Sequence, residues 1–436
     1  MKNQLILFLM ILPVVANFAC RDNPTGPDNG DLHLSAEDIG VTDLYLRVRI
    51  DQNNESRTLT LTRDGQTLLS AQYSLLDTLI LCDSLLPRHT YTYTAVLTGQ
   101  NIYSTTYAEL RVTTLDTTSH DFIWEVDTLG DGMNSFLKDV AIVNDTCVFA
   151  VGEIRIKDTT GNWDPTPYNV ARWNGSRWTY SVGASVTINA VYAFSDTDVW
   201  VGTSAPYHFD GSAWRGYNVT GLFDGYVSKI WGTSSSNVYM VGTNGAIMHF
   251  NGNVWQKMES GTDVDLLDVW GSPDGRVVWA CGWIDFKPTV LLRLMNGMWE
   301  KAFEDLFPFV FREDSLAGIL TSIYTSDDRR LFVASGYGLY QCRSNTRGEG
   351  KRTSFTPDIL PGLPNRVRGN NVNDMVMVGY YTMITHYNGI TWKYFNQFKN
   401  DNEHLFSIDE KRAFVIAVGK IYDPIHSRGL VFRGRR

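Results

Sequence analysis

The sequence has little charge and lacks the short motifs that identify several classes of protein. Charged residues make up 19% of the 436 residues, with 38 Lys and Arg against 47 Asp and Glu, and neither sign forms long runs. A nucleic-acid-binding protein needs a basic face, so we expect no nucleic-acid partner. The patterns Gly-x-x-x-x-Gly-Lys-Ser/Thr, Gly-x-Ser-x-Gly, His-Glu-x-x-His and Cys-x-x-Cys are absent, as is a calcium loop. We therefore predict no catalytic residue, no cofactor and no metal site.

An apolar run stands at the N-terminus. Leu5 to Ala16 is an apolar stretch that follows the positive charge of Lys2, and it is shorter than the roughly 20 residues that span a bilayer. Residues 1–19 are therefore predicted to be a secretory signal peptide. Residues 20–30 are rich in Pro, Gly and Asn with nothing to bury, and they are predicted to form a flexible tether.

The junction of these two segments resembles the lipobox of bacterial lipoproteins. Ala19 directly precedes Cys20, although Asn17 and Phe18 stand where that family usually has Leu and then Ala or Ser. The resemblance implies that the Cys20 thiol is acylated and anchors the protein to a membrane of the bacterial envelope. Arg21, in place of an Asp, is compatible with sorting to the outer membrane. The alternative is an ordinary cleaved signal followed by a chance Cys.

The other cysteines share one setting, because each lies in a strand-like apolar run. They are Cys82, Cys147, Cys281 and Cys342. An extracytoplasmic compartment permits disulfides. A free Cys in such a run, however, behaves as a small hydrophobic residue, so we predict four buried, unpaired thiols.

Residues 31–117 show the alternation expected of half-buried strands. Apolar and polar residues alternate from Leu44 to Ile50, and seven such short segments in this length predict a β-sandwich. The motif Leu85-Leu86-Pro87, followed by Thr90-Tyr91-Thr92-Tyr93, resembles the approach to a late strand in fibronectin type III modules. The resemblance implies a spacer or docking unit without chemistry of its own.

Residues 119–436 contain an internal repeat. Asn-Gly or Asp-Gly recurs shortly before a Trp, and these tryptophans are Trp178, Trp214, Trp255, Trp299 and Trp392. Upstream lies a second recurring pattern, Val-aromatic-x-x-Gly, as in Val238 to Gly242. Asn-Gly predicts a two-residue hairpin turn in which both central residues adopt positive φ.

Four strands in each repeat of about forty residues indicate a β-propeller. Counting gives seven repeats, and the last, from 403 to 436, lacks its Trp strand. Phe122 to Val126 has the composition of such a strand and is predicted to complete the last repeat by pairing with the C-terminal strands. We therefore expect an all-β chain: a fibronectin type III-like β-sandwich, then a seven-bladed β-propeller closed by an N-terminal strand, which leaves no open sheet edge.

The repeats resemble those of bacterial lipoproteins and secreted proteins with Asp-Val-Trp-x-Val-Gly and His-Tyr-Asn-Gly-x-x-Trp motifs. The corresponding segments are Asp198 to Gly202 and His386 to Trp392. The resemblance implies a fold but no single activity, because propellers serve as binding proteins, enzymes and scaffolds. His208 and His249 occupy the same repeat position as His386, which favours a structural role over metal binding.

Departures from the repeat indicate where a ligand binds. Loops between the second and third strands lie on one face of a propeller, and insertions there commonly carry function. Five aromatic residues fall in these loops and are our candidate ligand-binding residues: Trp163, Trp283, Tyr337, Tyr380 and Tyr422. Such rings suit recognition of a glycan or of another envelope protein. The alternative is that they pack between blades or under the first domain.

Three functions are consistent with these features. The leading hypothesis is a lipid-anchored, non-catalytic binding or assembly module. The second is an extracytoplasmic carbohydrate-active hydrolase or lyase with carboxylates such as Asp164, Asp285 or Asp423 at the channel mouth, which would require two carboxyl groups about 5 to 10 Å apart. The third is a sensory or adhesive surface protein that acts through protein partners.

Overall fold

The computed structural model describes residues 31–51, 56–99, 105–312, 315–343, 350–352, 362–423 and 426–436. The predicted signal peptide, Cys20 and the tether lie outside the described residues. The chain divides into two compact units, one ending at Thr118 and the other comprising Ser119–Arg436. Within the ranges described, no helix has the length and apolar character needed to span a membrane.

The first unit is built from two antiparallel sheets. Its strands are β1 (Leu32–Ile39), β2 (Leu44–Ile50), β3 (Arg57–Arg63), β4 (Gln66–Tyr73), β5 (Leu76–Cys82), β6 (Thr90–Thr98) and β7 (Thr105–Thr113). One sheet has the order β1-β2-β5 and the other the order β4-β3-β6-β7.

The core of this unit lies between the two sheets. In β2, β3 and β6 every second residue is buried, because successive side chains of a strand point to opposite faces. The buried residues of both sheets form one cluster that includes Leu46, Leu61 and Tyr93. The hydroxyl of Tyr91 accepts a hydrogen bond of 2.8 Å from the N–H of Leu86, which ties the preceding loop to β6.

The second unit begins with β8 (Ile123–Leu129) and continues as a series of four-stranded antiparallel sheets. Sheet 1 has β9 (Phe136–Asn144), β10 (Cys147–Ile154), β11 (Tyr168–Trp173) and β12 (Trp178–Ser181). Sheet 2 has β13 (Ala190–Ser195), β14 (Asp198–Gly202), β15 (Pro206–Phe209) and β16 (Trp214–Gly216). Sheet 3 has β17 (Val227–Ser234), β18 (Asn237–Gly242), β19 (Ile247–Phe250) and β20 (Trp255–Met258). Sheet 4 has β21 (Leu266–Gly271), β22 (Val278–Gly282), β23 (Thr289–Met295) and β24 (Met298–Asp305).

The remaining sheets follow the same order. Sheet 5 has β25 (Leu320–Tyr324), β26 (Arg330–Ser335), β27 (Gly338–Arg343) and β28 (Gly350–Arg352). Sheet 6 has β29 (Pro364–Asn371), β30 (Asp374–Gly379), β31 (Met383–Tyr387) and β32 (Trp392–Tyr394). Sheet 7 has β33 (Glu403–Lys411), β34 (Phe414–Ile421), β35 (Arg428–Arg435) and, as its fourth strand, β8.

The sheets close into a ring. The first strand of each sheet contacts the first strand of the next, and β33 of sheet 7 contacts β9 of sheet 1. The predicted pairing of the N-terminal strand is confirmed, since β8 is antiparallel to β35, with Trp124 opposite Gly434. Sheet 7 therefore contains strands from both ends of the unit.

The second strands carry the core between neighbouring sheets. All residues of β22, β26 and β30 are buried, because each of these strands is covered on both faces. The four cysteines predicted to be buried and unpaired are confirmed as free and buried: Cys82, Cys147, Cys281 and Cys342.

The Asn-Gly turns differ from the expected geometry. The loop at 174–177 has four residues, and only Gly175 of its Asn-Gly pair has positive φ, at 94°. The side-chain oxygen of Asn174 accepts the backbone N–H groups two and three residues on, which stabilises this longer loop. The same arrangement is found at Asp210, Asn251 and Asn388. Asn296 and Gly297, with φ of 51° and 78°, do form the predicted two-residue turn.

A histidine pair lies where the ring closes. The Nδ1 atoms of His120 and His386 are 2.7 Å apart, and His386 Nε2 is 2.9 Å from Asp374. Arg436 makes ion pairs with Asp374, at 2.6 Å, and with Glu410, at 3.0 Å. Burial lowers the pKa of His120 to about 4, with a further contribution from His386, and burial also lowers the pKa of His386.

We predict that this closure weakens in mild acid. His120 binds a proton more weakly in the folded chain than in the unfolded chain, so stability is complete above about pH 6.5 and falls as the pH decreases towards 4. Thermal unfolding of the wild type and of His120→Gln, measured from pH 8 to 4.5, checks this expectation. The melting temperature of the wild type should fall more steeply than that of the variant below pH 6.5, and parallel curves would contradict it.

Candidate functional site

The five candidate aromatic residues lie in loops between the second and third strands of sheets 1, 4, 5, 6 and 7. They are Trp163, Trp283, Tyr337, Tyr380 and Tyr422. Successive loops of an antiparallel sheet alternate between its two ends, so these loops, together with the connections between sheets, lie on one face of the ring. We call it the aromatic face.

Two of the candidates belong to one cluster of rings. The rings of Tyr380 and Tyr422 lie 4.4 Å and 4.7 Å from the ring of His404, the second residue of the first strand of sheet 7. Tyr381 lies beside the same histidine, with ring centroids 5.6 Å apart. The ammonium group of Lys420 is 4.8 Å from the centre of the Tyr422 ring. The cluster combines exposed aromatic surface with a positive charge.

Two other candidates border the connection from sheet 4 to sheet 5. The Trp283 ring lies 6.3 Å from that of Phe309, and the Tyr337 ring lies 5.4 Å from that of Phe311. The Tyr337 hydroxyl donates a hydrogen bond of 2.6 Å to the carbonyl oxygen of Phe309. We call Trp283, residues 306–311 and Tyr337 the apolar patch.

The apolar patch exposes large side chains on a loop that is held in place. Leu306 and Phe307 are each 65% exposed and Phe309 is 69% exposed. Beneath them the buried carboxylate of Asp305 accepts the N–H of Phe307 at 2.9 Å and the guanidinium of Arg312 at 2.5 Å. The loop backbone is therefore anchored from below while its side chains face solvent. The sequence showed this aromatic segment, but it did not show which side chains are exposed.

Trp163 lies apart from both groups in its ring contacts. It is half-buried, and the ammonium group of Lys157 lies 5.0 Å from the centre of its ring. The surrounding loop is polar and is organised by Asp158, whose side chain accepts from the N–H groups of Thr160 and Asn162. The structure thus divides the five candidates among a tyrosine and histidine cluster, the apolar patch and this single Trp.

The three carboxylates considered for catalysis have separate surroundings. Asp164 accepts a hydrogen bond of 3.0 Å from the hydroxyl of Tyr168. Asp285 is exposed, and the carboxylate of Asp423 accepts the N–H of His426 at 2.7 Å. Across the described ranges, no group of three or more His, Cys, Asp or Glu side chains is arranged to hold a metal ion.

A network of buried charges lies in the centre of the ring. Lys229 Nζ is 2.6 Å and 2.7 Å from the two carboxylate oxygens of Asp139, and both residues are almost fully buried. The hydroxyl of Ser407 and the N–H of Val191 also bond to this carboxylate. Burial lowers the pKa of Lys229 to about 8, against the attraction of Asp139. Four sheets therefore meet at Asp139.

A second buried group continues this network. Asp268 lies 2.6 Å from Arg366 and 2.8 Å from Arg368, and its carboxylate also accepts from the hydroxyl of Ser322 at 2.6 Å. Burial alone would raise the pKa of Asp268, but the charges of Arg366 and Arg368 outweigh it and hold that pKa well below its ordinary value. We call Asp139, Lys229, Asp268, Arg366 and Arg368 the channel network.

Sequence reasoning missed the channel network, although a signal was present. Asp139, Lys229, Asp268 and Arg366 all stand directly before a Val or Ile in the first strand of their sheets. Equivalent positions in successive sheets meet around the axis of the ring. The sequence signal was a polar residue that recurs at this position, directly before a buried Val or Ile.

The repeated histidines have structural surroundings, in keeping with the sequence expectation. His208 Nε2 lies 2.8 Å from Asp198, and His249 Nε2 lies 2.7 Å from the side-chain oxygen of Asn237. His386 makes the corresponding contact with Asp374. In each case the third strand of a sheet is joined to the start of the second.

We predict that Asp268→Asn destabilises the protein by about 3 to 5 kcal/mol, because it leaves two buried guanidinium groups without their charge partner. Urea unfolding of the full chain measures the loss. Asp285→Asn, at an exposed position, is the matched control and should change stability by no more than about 0.5 kcal/mol. A loss below about 1 kcal/mol for Asp268→Asn would contradict a stabilising role for the channel network.

No protein-family model matches the chain, and no curated protein matches its sequence. Solved structures do match it. YCF48 bound to D1 peptide is 15% identical with a TM-score of 0.53, over 74% of this chain and 100% of that one. The WD40 β-propeller domain of Doa1 is 14% identical with a TM-score of 0.52, over 72% and 98%. YCF48 from Cyanidioschyzon merolae is 14% identical with a TM-score of 0.50, over 70% and 98%. At these identities the likeness shows the fold, and that fold is a β-propeller.

Proposed function

We propose that this protein is a lipid-anchored, extracytoplasmic binding module without catalysis. In this proposal a fibronectin type III-like module spaces a seven-bladed β-propeller from the membrane, and the aromatic face of the propeller docks a protein partner. The ring of four-stranded sheets closed by β8 supports the propeller with seven blades. The two packed sheets of the first unit, with the Tyr91 hydroxyl bonded to the preceding loop, support the fibronectin type III-like assignment.

The observation that carries the proposal is the apolar patch. Monomeric soluble proteins rarely expose contiguous apolar side chains, and where they do the patch commonly marks an interaction site. Here Leu306, Phe307 and Phe309 are mostly exposed, and Phe286, on the same loop as Trp283, is fully exposed. Burying these side chains against a partner would contribute about 25 cal/mol for each Å² of apolar area removed from water.

The anchoring of the loop also favours docking. Asp305 bonds to Phe307 and Arg312, near the two ends of residues 306–311, and Tyr337 bonds to Phe309 between them. A loop already held in one conformation loses less conformational entropy on binding than a flexible one, so more of the contact energy remains as affinity. The apolar patch is thus prepared to receive a partner.

The chemistry of the patch indicates an apolar polypeptide segment as the partner. Phe and Leu side chains dominate it, and these residues bury area without offering hydrogen bonds to sugar hydroxyl groups. A protein of similar fold, YCF48, has been solved with a bound D1 peptide, so a propeller of this kind can present a peptide site. Glycan recognition on the same face is the second candidate, supported by the half-exposed Trp163 beside Lys157.

We predict that binding depends on the exposed phenylalanines. Peptides are selected from a displayed random library on the full-length protein, and their affinities are measured by calorimetry. The double variant Phe307→Ser/Phe309→Ser should weaken binding at least about thirtyfold, because two buried contact side chains are lost. Its melting temperature should stay within about 2 °C of the wild type, since both rings are exposed.

Val254→Ser is the matched control, because Val254 is an exposed apolar residue in a loop between the third and fourth strands, on the other face. It should leave the affinity unchanged. Selected peptides without apolar side chains, or peptides whose binding the double variant does not alter, would overturn docking at the apolar patch. Binding of glycans alone, lost with Trp163→Ala, would favour the second candidate.

We further predict that Cys20 carries the lipid. In a lipoprotein-processing bacterium, the wild type should incorporate radioactive palmitate and sediment with membranes. Cys20→Ser should lose the label and appear in the soluble fraction, because no acceptor thiol remains at the processing site. Cys147→Ser, which alters a buried thiol, is the control and should keep the label. Palmitate incorporation that persists in Cys20→Ser would contradict the anchor.

A further inference from the structure

A cavity opens on the face of the ring opposite the aromatic face. It has a volume of about 280 Å³ and lies where the first strands of sheets 2 to 6 end. Five aromatic side chains line it: Tyr192, Phe194, Trp231, Trp270 and Tyr324. Neither the aromatic face nor the predicted site residues contribute to it. The cavity is therefore separate from the docking surface proposed above.

Glycines shape the cavity wall. The sequences Ile230-Trp231-Gly232 and Val269-Trp270-Gly271 place a glycine directly after each Trp. A Cβ atom at Gly232 would lie 3.0 Å from the Phe194 ring, and one at Gly271 would lie 2.6 Å from the Trp231 ring. Each glycine thus makes room for an aromatic side chain from the preceding sheet. The rings are held by the backbone of the neighbouring sheet and line a preformed space.

The polar groups of the wall are uncharged. Among the lining residues that the structure describes, the polar groups are hydroxyl groups, including those of Thr233 and Ser326, indole N–H groups and one amide, and none carries a charge. The amide, that of Asn370, already donates to Asp374 and to the carbonyl oxygen of Arg412. The Tyr192 hydroxyl makes none of the hydrogen bonds found in the described part of the chain. Burial raises the pKa of Tyr192 above its ordinary value, so this hydroxyl stays protonated and can both donate and accept.

The charges behind the wall disfavour an ionic ligand. The guanidinium carbon of Arg368 lies 4.1 Å from the centre of the Trp270 ring, and Arg368 is itself paired with Asp268. A cation on the Trp270 ring would be repelled by the guanidinium group of Arg368, which already lies over the same ring. An anion would find no basic side chain in the wall. The lining is thus suited to a neutral ligand that combines an apolar face with hydroxyl groups.

We propose that this cavity binds a neutral pyranose sugar ring. The C–H face of the ring packs on the aromatic side chains, and its hydroxyl groups exchange hydrogen bonds with Tyr192 and the hydroxyl groups of the rim. The cavity volume lies just below the range of about 300 to 1,000 Å³ for small-molecule sites, which limits the ligand to about one sugar ring. This inference does not depend on the proposed docking of a protein at the aromatic face.

The test uses the full-length protein and ligand-observed NMR. The probes are methyl glycosides of glucose, galactose, mannose and N-acetylglucosamine, with choline as the cationic probe and phenylalanine amide as the peptide-like probe. We expect saturation transfer to at least one glycoside and none to choline. A disaccharide that ends in the bound sugar shows whether the cavity accepts that sugar at the end of a glycan chain or only as a free monosaccharide. Binding of choline or phenylalanine amide with no glycoside bound would overturn the proposal.

Two variants locate the binding. Tyr192→Phe removes only the hydroxyl group and should lower the affinity for the glycoside about tenfold, since one hydrogen bond to the ligand is lost. Phe194→Ala removes an aromatic ring from the cavity wall and should lower the affinity for the glycoside further. Tyr239→Phe changes a buried tyrosine that does not line the cavity and should leave the affinity unchanged.

The melting temperature of each variant shows whether it is folded, and Tyr192→Phe keeps the shape of the native side chain. Glycoside binding that survives both Tyr192→Phe and Phe194→Ala would overturn the assignment to this cavity. The Phe307→Ser/Phe309→Ser variant of the aromatic face should bind the glycoside as the wild type does, so failure of the sugar site and failure of the peptide site are distinguishable.

Discussion

The channel network is the constraint on which the ring of sheets depends. In each sheet the first strand lies nearest the axis, and its side chains meet those of sheets that are not adjacent in sequence. Asp139 joins sheet 1 to sheet 3 through Lys229, and Asp268 joins sheet 4 to sheet 6 through Arg366 and Arg368. Ion pairs buried in this way add little net stability over an apolar core. They do penalise any arrangement of the sheets in which a buried charge loses its partner, so they favour one register of the ring.

The closure at sheet 7 is the second condition for the ring. β35 would be an open edge without β8, and the two strands come from opposite ends of the unit. The contacts around Arg436 reinforce the same place, because this last residue bonds to sheet 6 through Asp374 and to sheet 7 through Glu410. Unfolding at either end of the unit therefore exposes an edge of sheet 7. Protonation of His120 destabilises the same region, because His120 contacts His386 of sheet 6 beside Arg436.

Local patterns predicted the strands and the closure, whereas contacts between distant residues could not be predicted. Alternation, the recurring Trp and the unpaired strand at Phe122 to Val126 are local, and the structure contains the corresponding strands. The four-residue Asx-stabilised turn at Asn174 was missed because Asn-Gly also suits a shorter turn, as at Asn296. Asp268 and Arg368 are 100 residues apart, so their pairing follows only from the register of the whole ring. For the candidate site, the loop position of the aromatic residues could be predicted, but their division into clusters depends on packing between sheets.

The channel network also explains why one ring can carry two separate sites. A propeller axis could connect its two faces, but here Asp139, Lys229, Asp268 and Arg368 are at most 3% exposed and fill the axis at one level. The apolar patch lies on one side of that level and the cavity beside Trp231 and Trp270 on the other. Arg368 links the network to the cavity wall from behind, since it bonds to Asp268 and lies over the ring of Trp270, which lines the cavity. The ion pair with Asp268 thus holds Arg368 behind the aromatic wall, while the loop of the apolar patch is anchored independently by Asp305. The two faces can therefore differ in chemistry, because a layer of buried, ion-paired side chains separates them.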